Sequence, residues 1–174
     1  MSAILYLASD GPLAERVNPH VKALSVNEAL KMGVEDIPAF MLEDGFDRDK
    51  PDVLLWSDIE ISLDTTEKGF DDDFAIWLRE KVVDMQTEKK NCAYLEWDWY
   101  TPGRAAQLIE YLKVQMQNTS QLELWYAWWD GSLGHRIKKV AIPVDSLTPE
   151  DIGELVQQKF WEEPLTDYCF VITR

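Results

Sequence analysis

Residues 121–129 read Gln-Leu-Glu-Leu-Trp-Tyr-Ala-Trp-Trp, and residues 92–99 read Cys-Ala-Tyr-Leu-Glu-Trp-Asp-Trp. A β-strand sends successive side chains to opposite faces, so each stretch sorts into two sets. Ala93, Leu95 and Trp97 fall on one side with Leu122, Leu124, Tyr126 and Trp128. The other side takes Tyr94, Glu96, Asp98, Glu123, Trp125, Ala127 and Trp129, joined by Lys139 from the strand expected over residues 136–144. The apolar set must lie beneath helices, and two are available. Thr101-Pro102 supplies an N-cap and a first-turn proline ahead of Ala105, Leu108, Ile109, Leu112 and Met116, spaced as one helical stripe. Thr148-Pro149 does the same for Ile152, Leu155, Val156 and Phe160. With a turn at 130–134 and a last strand over 168–173, residues 91–174 read β-α-β-β-α-β. That order predicts a ferredoxin-like arrangement, an antiparallel or mixed sheet with helices packed on it. The class is α+β.

The first half of the chain is less regular. Residues 3–8, Ala-Ile-Leu-Tyr-Leu-Ala, form a short apolar run that reads as a buried strand. Residues 24–33 read as a short helix, with Ser25 as N-cap, Glu28 closing a capping box and Gly33 as the stop. Residues 53–56 and 59–63 look like strands. Residues 70–85 match helical spacing, with Phe70, Phe74, Trp77, Leu78 and Val82 on one stripe and Asp71-Asp72-Asp73 in the first turn. The polar run 87–91 is the best internal boundary. The expectation is a single α+β domain over 1–174, in which residues 1–90 are an extension or subdomain fused to a ferredoxin-like half.

Charge narrows the function. The chain of 174 residues carries a formal charge of −15, which disfavours nucleic acid and anionic membranes and favours a basic partner. Residues 43–73 hold twelve carboxylates against three basic side chains. The opening residues lack the basic start of a secretory leader, and no apolar run approaches the ~18 residues of a membrane helix. Two distant cysteines, Cys92 and Cys169, suit free thiols in a reducing compartment, so a cytoplasmic location is expected. In a ferredoxin-like sheet these cysteines would sit at opposite ends, out of disulfide reach.

No pattern of catalytic or cofactor chemistry stands out. Asp130, Ser132 and His135 share one turn and read as a hairpin tip, and His20 follows Pro19 in a loop. Asp44, Asp47, Asp49 and Asp52 cluster beside Gly45 but lack the spacing of a calcium loop, so neither a metal nor a cofactor is expected.

Two functions from different classes remain. One is a non-enzymatic interaction protein that binds a basic protein, for example as an immunity-type inhibitor of a bacterial toxin. Its contact surface would comprise Asp44, Phe46, Asp47, Asp49, Asp52, Trp56, Phe70, Asp71, Asp72 and Asp73, with carboxylates speeding encounter and aromatics acting as anchors. The other is a ligand-binding domain or enzyme using Tyr94, Glu96, Asp98, Glu123, Trp125 and Trp129 as a site on the sheet. That face is too apolar to stand in water, so residues 1–90 or a second copy should cover it, and a homodimer through it is a further expectation.

Overall fold

The computed structural model describes residues 2–57, 70–80, 86–97, 100–129, 136–156 and 166–174, with backbone alone for 2, 3 and 129. The chain divides into two compact units, Met1–Asn18 with Thr66–Arg174, and Pro19–Thr65.

In the first unit, strands β1 (Ser2–Ser9), β4 (Ala75–Arg79), β5 (Asn91–Glu96), β6 (Gln121–Trp129), β7 (Arg136–Pro143) and β8 (Thr166–Thr173) build one sheet in the order β4-β5-β1-β6-β8-β7. Every neighbouring pair is antiparallel except β7 and β8. Helix α2 (Pro102–Gln115) connects β5 to β6, and α3 (Pro149–Val156) connects β7 to β8. The fold is thus mixed α+β, and the second half does run β-α-β-β-α-β along the chain. The sheet order corrects the ferredoxin-like expectation. β1 inserts between β5 and β6, which both run antiparallel to it and so parallel to each other. β6 and β7 do not pair as a hairpin, because β8 lies between them. The sheet also continues across residues 87–91, which fall inside the first unit and do not bound it.

The second correction concerns residues 70–85. Where a helix was expected, residues 70–74 turn and β4 follows; residues 81–85 lie outside the description. Phe74 and Ile76 are fully buried on one side of β4, while Trp77 points to the other. Ile76 lay off the predicted helical stripe. Short apolar runs fit either period, and here β5 offers an open ladder, completed on the far side by Arg16, which exchanges backbone hydrogen bonds of 3.0 and 2.8 Å with Ile76.

The main core forms where α2 and α3 cover Leu7, Ile76, Leu95, Leu122, Leu124, Tyr126 and Ile172. Thr101 accepts a hydrogen bond from the Arg104 amide at 3.0 Å, and Pro102 occupies the first turn, as its lost N–H permits. Ala105, Leu108, Ile109, Leu112 and Met116 are all buried. Thr148 and Asp151 close a reciprocal cap at the start of α3. Gly153 lies buried beneath Tyr100, whose ring occupies the space a Cβ would need.

The second unit pairs β2 (Val21–Leu24) with β3 (Leu54–Ser57) beside α1 (Val26–Met32). The capping box of Ser25 and Glu28 is complete, and Gly33 ends the helix with φ +77°. β2 was not foreseen, and the strand expected over 59–63 lies outside the described residues.

Candidate functional site

The sheet face opposite the helices has the composition the alternation predicts. One row of paired residues crosses all six strands: Trp77, Tyr94, Tyr6, Trp125, Cys169 and Lys139. Glu123 lies two residues along β6 from Trp125 and therefore shares its face. It is 6 % exposed, and its carboxylate accepts from Thr87 Oγ1 at 2.6 Å, Trp125 Nε1 at 2.9 Å and Lys139 Nζ at 3.2 Å. Burial pushes this carboxyl up, but those three donors together outweigh it and hold Glu123 below its ordinary value of 4.5.

Trp125 is fully buried. Tyr6 stacks on it at 5.7 Å and 7°, and the Lys139 ammonium lies 4.8 Å from its ring centre. Thr87 comes from the first ninety residues, so part of the cover expected over this face is supplied within the chain. Trp125 is therefore interior and forms no wall of an open cleft. Tyr94 is half-buried with Arg79 6.0 Å from its ring centre, and Glu96 is exposed and accepts from Trp77 Nε1 at 2.6 Å. Asp98 and the side chain of Trp129 lie outside the described residues, as do Asp130, Ser132 and His135.

The cysteines share this face. Cys92 on β5 and Cys169 on β8 are buried and form no disulfide, being separated by three strand spacings, about 14 Å and too far to bridge. They are not at opposite ends of the sheet as the ferredoxin-like order required. Burial, with the Glu123 carboxylate nearby, pushes the Cys169 thiol up to about 12, so it is no nucleophile at neutral pH.

The predicted acidic surface divides between the two units. Residues 39–56 lie in the second unit, where the loop between α1 and β3 is held by its own polar groups. The Arg48 guanidinium donates to the Leu42 carbonyl, Asp47 accepts from the Asp49 amide at 3.1 Å, and Asp49 accepts from Asn27 Nδ2 at 2.7 Å. Asp44, Asp47, Asp49 and Asp52 are exposed, and Asp52 adopts a left-handed φ of 56°. Phe46 is half-buried against Phe40 in an edge-to-face contact at 6.1 Å, and Trp56 is half-buried with the Lys22 ammonium 5.6 Å from its ring centre. Sequence reading missed the exposed apolar side chains of this unit. Phe40 is 58 % exposed and Leu55 77 %, and Leu30, Met32 and Leu42 are exposed as well. Phe40 and Leu42 lie in the connection between α1 and β3, where no periodicity marks them, while Leu30, Met32 and Leu55 belong to α1 and β3.

The remaining four, Phe70 and Asp71 to Asp73, lie in the first unit and brace its helix. Asp73 accepts from Arg104 at 2.9 Å and from Asn18 at 2.7 Å. The Asp71 carboxylate occupies the space where a Cβ on Gly103 would stand, over the first turn of α2. The Phe70 carbonyl accepts from Arg104 while its ring is half exposed, and the Asp72 carbonyl accepts from Arg16. These acidic residues do complement a helix N-terminus, but it belongs to α2 and not to a helix of their own.

Among the described residues, no group of three or more His, Cys, Asp or Glu is placed to hold a metal ion, and no helix is long and apolar enough to cross a membrane. Comparison with family models, with curated proteins and with solved structures gives no match.

Proposed function

We propose that the protein is a non-enzymatic interaction protein whose second unit binds a basic protein partner. The observation that carries this reading is the exposure of Phe40, Leu42 and Leu55 in the same small unit as Asp44, Asp47, Asp49 and Asp52. Residues 19–65 hold eleven carboxylates against four basic side chains, yet bury only Leu24, Val26 and Ala29 as described apolar residues. Exposed aromatic and aliphatic side chains in a small unit with an excess of carboxylates suit an interface whose electrostatics speed encounter and whose apolar contacts slow release. An immunity-type inhibitor is the specific form: carboxylates would stand where a nuclease toxin expects substrate phosphates. This role takes place in the cytoplasm and requires neither a cofactor nor a metal.

The test is capture of basic proteins from the native host on the immobilised chain. It is repeated with Asp44→Asn, Asp52→Asn and Phe40→Ala combined. A partner held by the wild type should be lost by the variant, and its association rate should fall steeply with salt. A partner indifferent to both salt and the substitutions refutes the reading.

A further inference from the structure

The second unit is built unlike the first. Residues 19–57 set two four-residue strands beside a seven-residue helix. Their buried apolar side chains are Leu24, Val26 and Ala29, whereas Leu30, Met32, Phe40, Leu42 and Leu55 are exposed. A two-stranded ribbon is marginal in water without a larger apolar face, and so short a helix takes its stability from packing. The first unit lays α2 and α3 on a six-stranded sheet, over a core in which Leu7, Ile76, Leu108, Leu112, Leu122 and Leu124 are fully buried. Its stability therefore belongs to a different scale.

The bonds that fasten the second unit close within it. The Asn27 amide donates to the Arg48 carbonyl and the Val53 amide to the Leu24 carbonyl, both at 3.1 Å. Asn27 Nδ2 donates to Asp49 at 2.7 Å, and Ser25 and Glu28 cap α1 reciprocally. These bonds join α1 to the loop before β3 and to β2, so they are kept or lost together. The boundary of the group is also marked. Just ahead of the unit, Arg16 pairs its backbone with Ile76 and its guanidinium donates to the carbonyls of Asp72 and Phe74. Asn18 Nδ2 donates to Asp73 at 2.7 Å. This clamp belongs to the first unit and does not depend on the bonds of residues 19–57, so their loss stops at Asn18. Proteins open in contiguous units of this kind at free energies well below that of global unfolding.

We infer that the second unit is a separate cooperative element, which opens and recloses as a whole while the six-stranded sheet stays folded. This is a property of the chain alone. Joined to the binding role proposed above, it makes closure of the unit the condition for its contact surface, so apparent affinity scales with the closed fraction. The test is amide exchange of the full chain, without any partner, in rising urea below the global transition. Amides of α1, β2 and β3 should share one protection factor, at least about tenfold below that of β1 and β6, and it should fall with urea because opening exposes surface. Ser25→Ala should speed exchange in α1, β2 and β3 alike, by about fivefold, and leave β1 and β6 unchanged. Ile152→Val, in the core of the first unit, should do the reverse: about fivefold faster exchange in β1 and β6, with α1, β2 and β3 unaltered. An effect of Ser25→Ala confined to α1 overturns the inference, and so does equal protection in β3 and β6 or a response of β3 to Ile152→Val.

Discussion

Replacing Glu123 by Gln keeps the shape of the buried side chain and removes its charge. In the wild type, Thr87 and Trp125 donate to one carboxylate oxygen and Lys139 to the other. Hydrogen bonds to a charged acceptor contribute about 1.5–3 kcal/mol each against roughly 1 for neutral pairs, so the two buried donors together lose about 1–4 kcal/mol. The Lys139 side chain is 44 % exposed and can turn to water, so its share is at most about 0.5 kcal/mol. The new amide also needs an acceptor where an ammonium stood. The expected cost is about 2 kcal/mol at pH 7, which for a chain of this length lowers Tm by about 4–8 °C.

Urea unfolding followed by circular dichroism measures that cost, and pH supplies the internal control. Glu123 titrates lower in the folded protein than in the unfolded chain, so its contribution is complete above the unfolded value of 4.5. It fades as pH falls through the lower folded value. The gap between wild type and E123Q should therefore be full at neutral pH and close in acid. A variant as stable as the wild type at pH 7, or a gap that widens on acidification, would refute the idea that this carboxylate fastens residues 86–90 to the sheet.

Arg104→Met should cost about 3 kcal/mol, because it strands Asp73 beside a buried site. Amide exchange in residues 70–74 should accelerate along with the loss in urea stability. Ser25→Ala should cost about 1 kcal/mol, seen as faster exchange in α1, since it removes the acceptor for the Glu28 amide. Gly33→Ala adds strain of about 1 kcal/mol at a left-handed position with no neighbour within 4 Å, and thermal melting should register it. Cys92 and Cys169 should resist thiol reagents in the native protein and react only in denaturant, because both are buried and Cys169 is held as the neutral thiol.

Much of the fold was legible where one period dominates. Alternation along β6 placed Leu124 under the helices and Trp125 on the far side, and the two Thr-Pro caps located α2 and α3. The lateral order of strands was not legible, because alternation fixes a face and carries no information about neighbours. Residues 74–78 failed for a related reason: five residues satisfy two periods, and the partner strand decided between them. At the candidate surface, exposed carboxylates such as Asp44 were foreseen. The internal use of Asp73 depends on Arg104, thirty-one residues away, and no local pattern joins them.

The position of β1 has a consequence for synthesis. Its two neighbours, β5 and β6, begin at residues 91 and 121, so the strand made first waits for partners made much later. At roughly 5–20 residues per second, translation leaves Ile4 to Leu7 without a ladder for about 5–20 s. During that interval the apolar run Ile-Leu-Tyr-Leu stays unpaired, and its ladder can close only once α2 and β6 have left the ribosome.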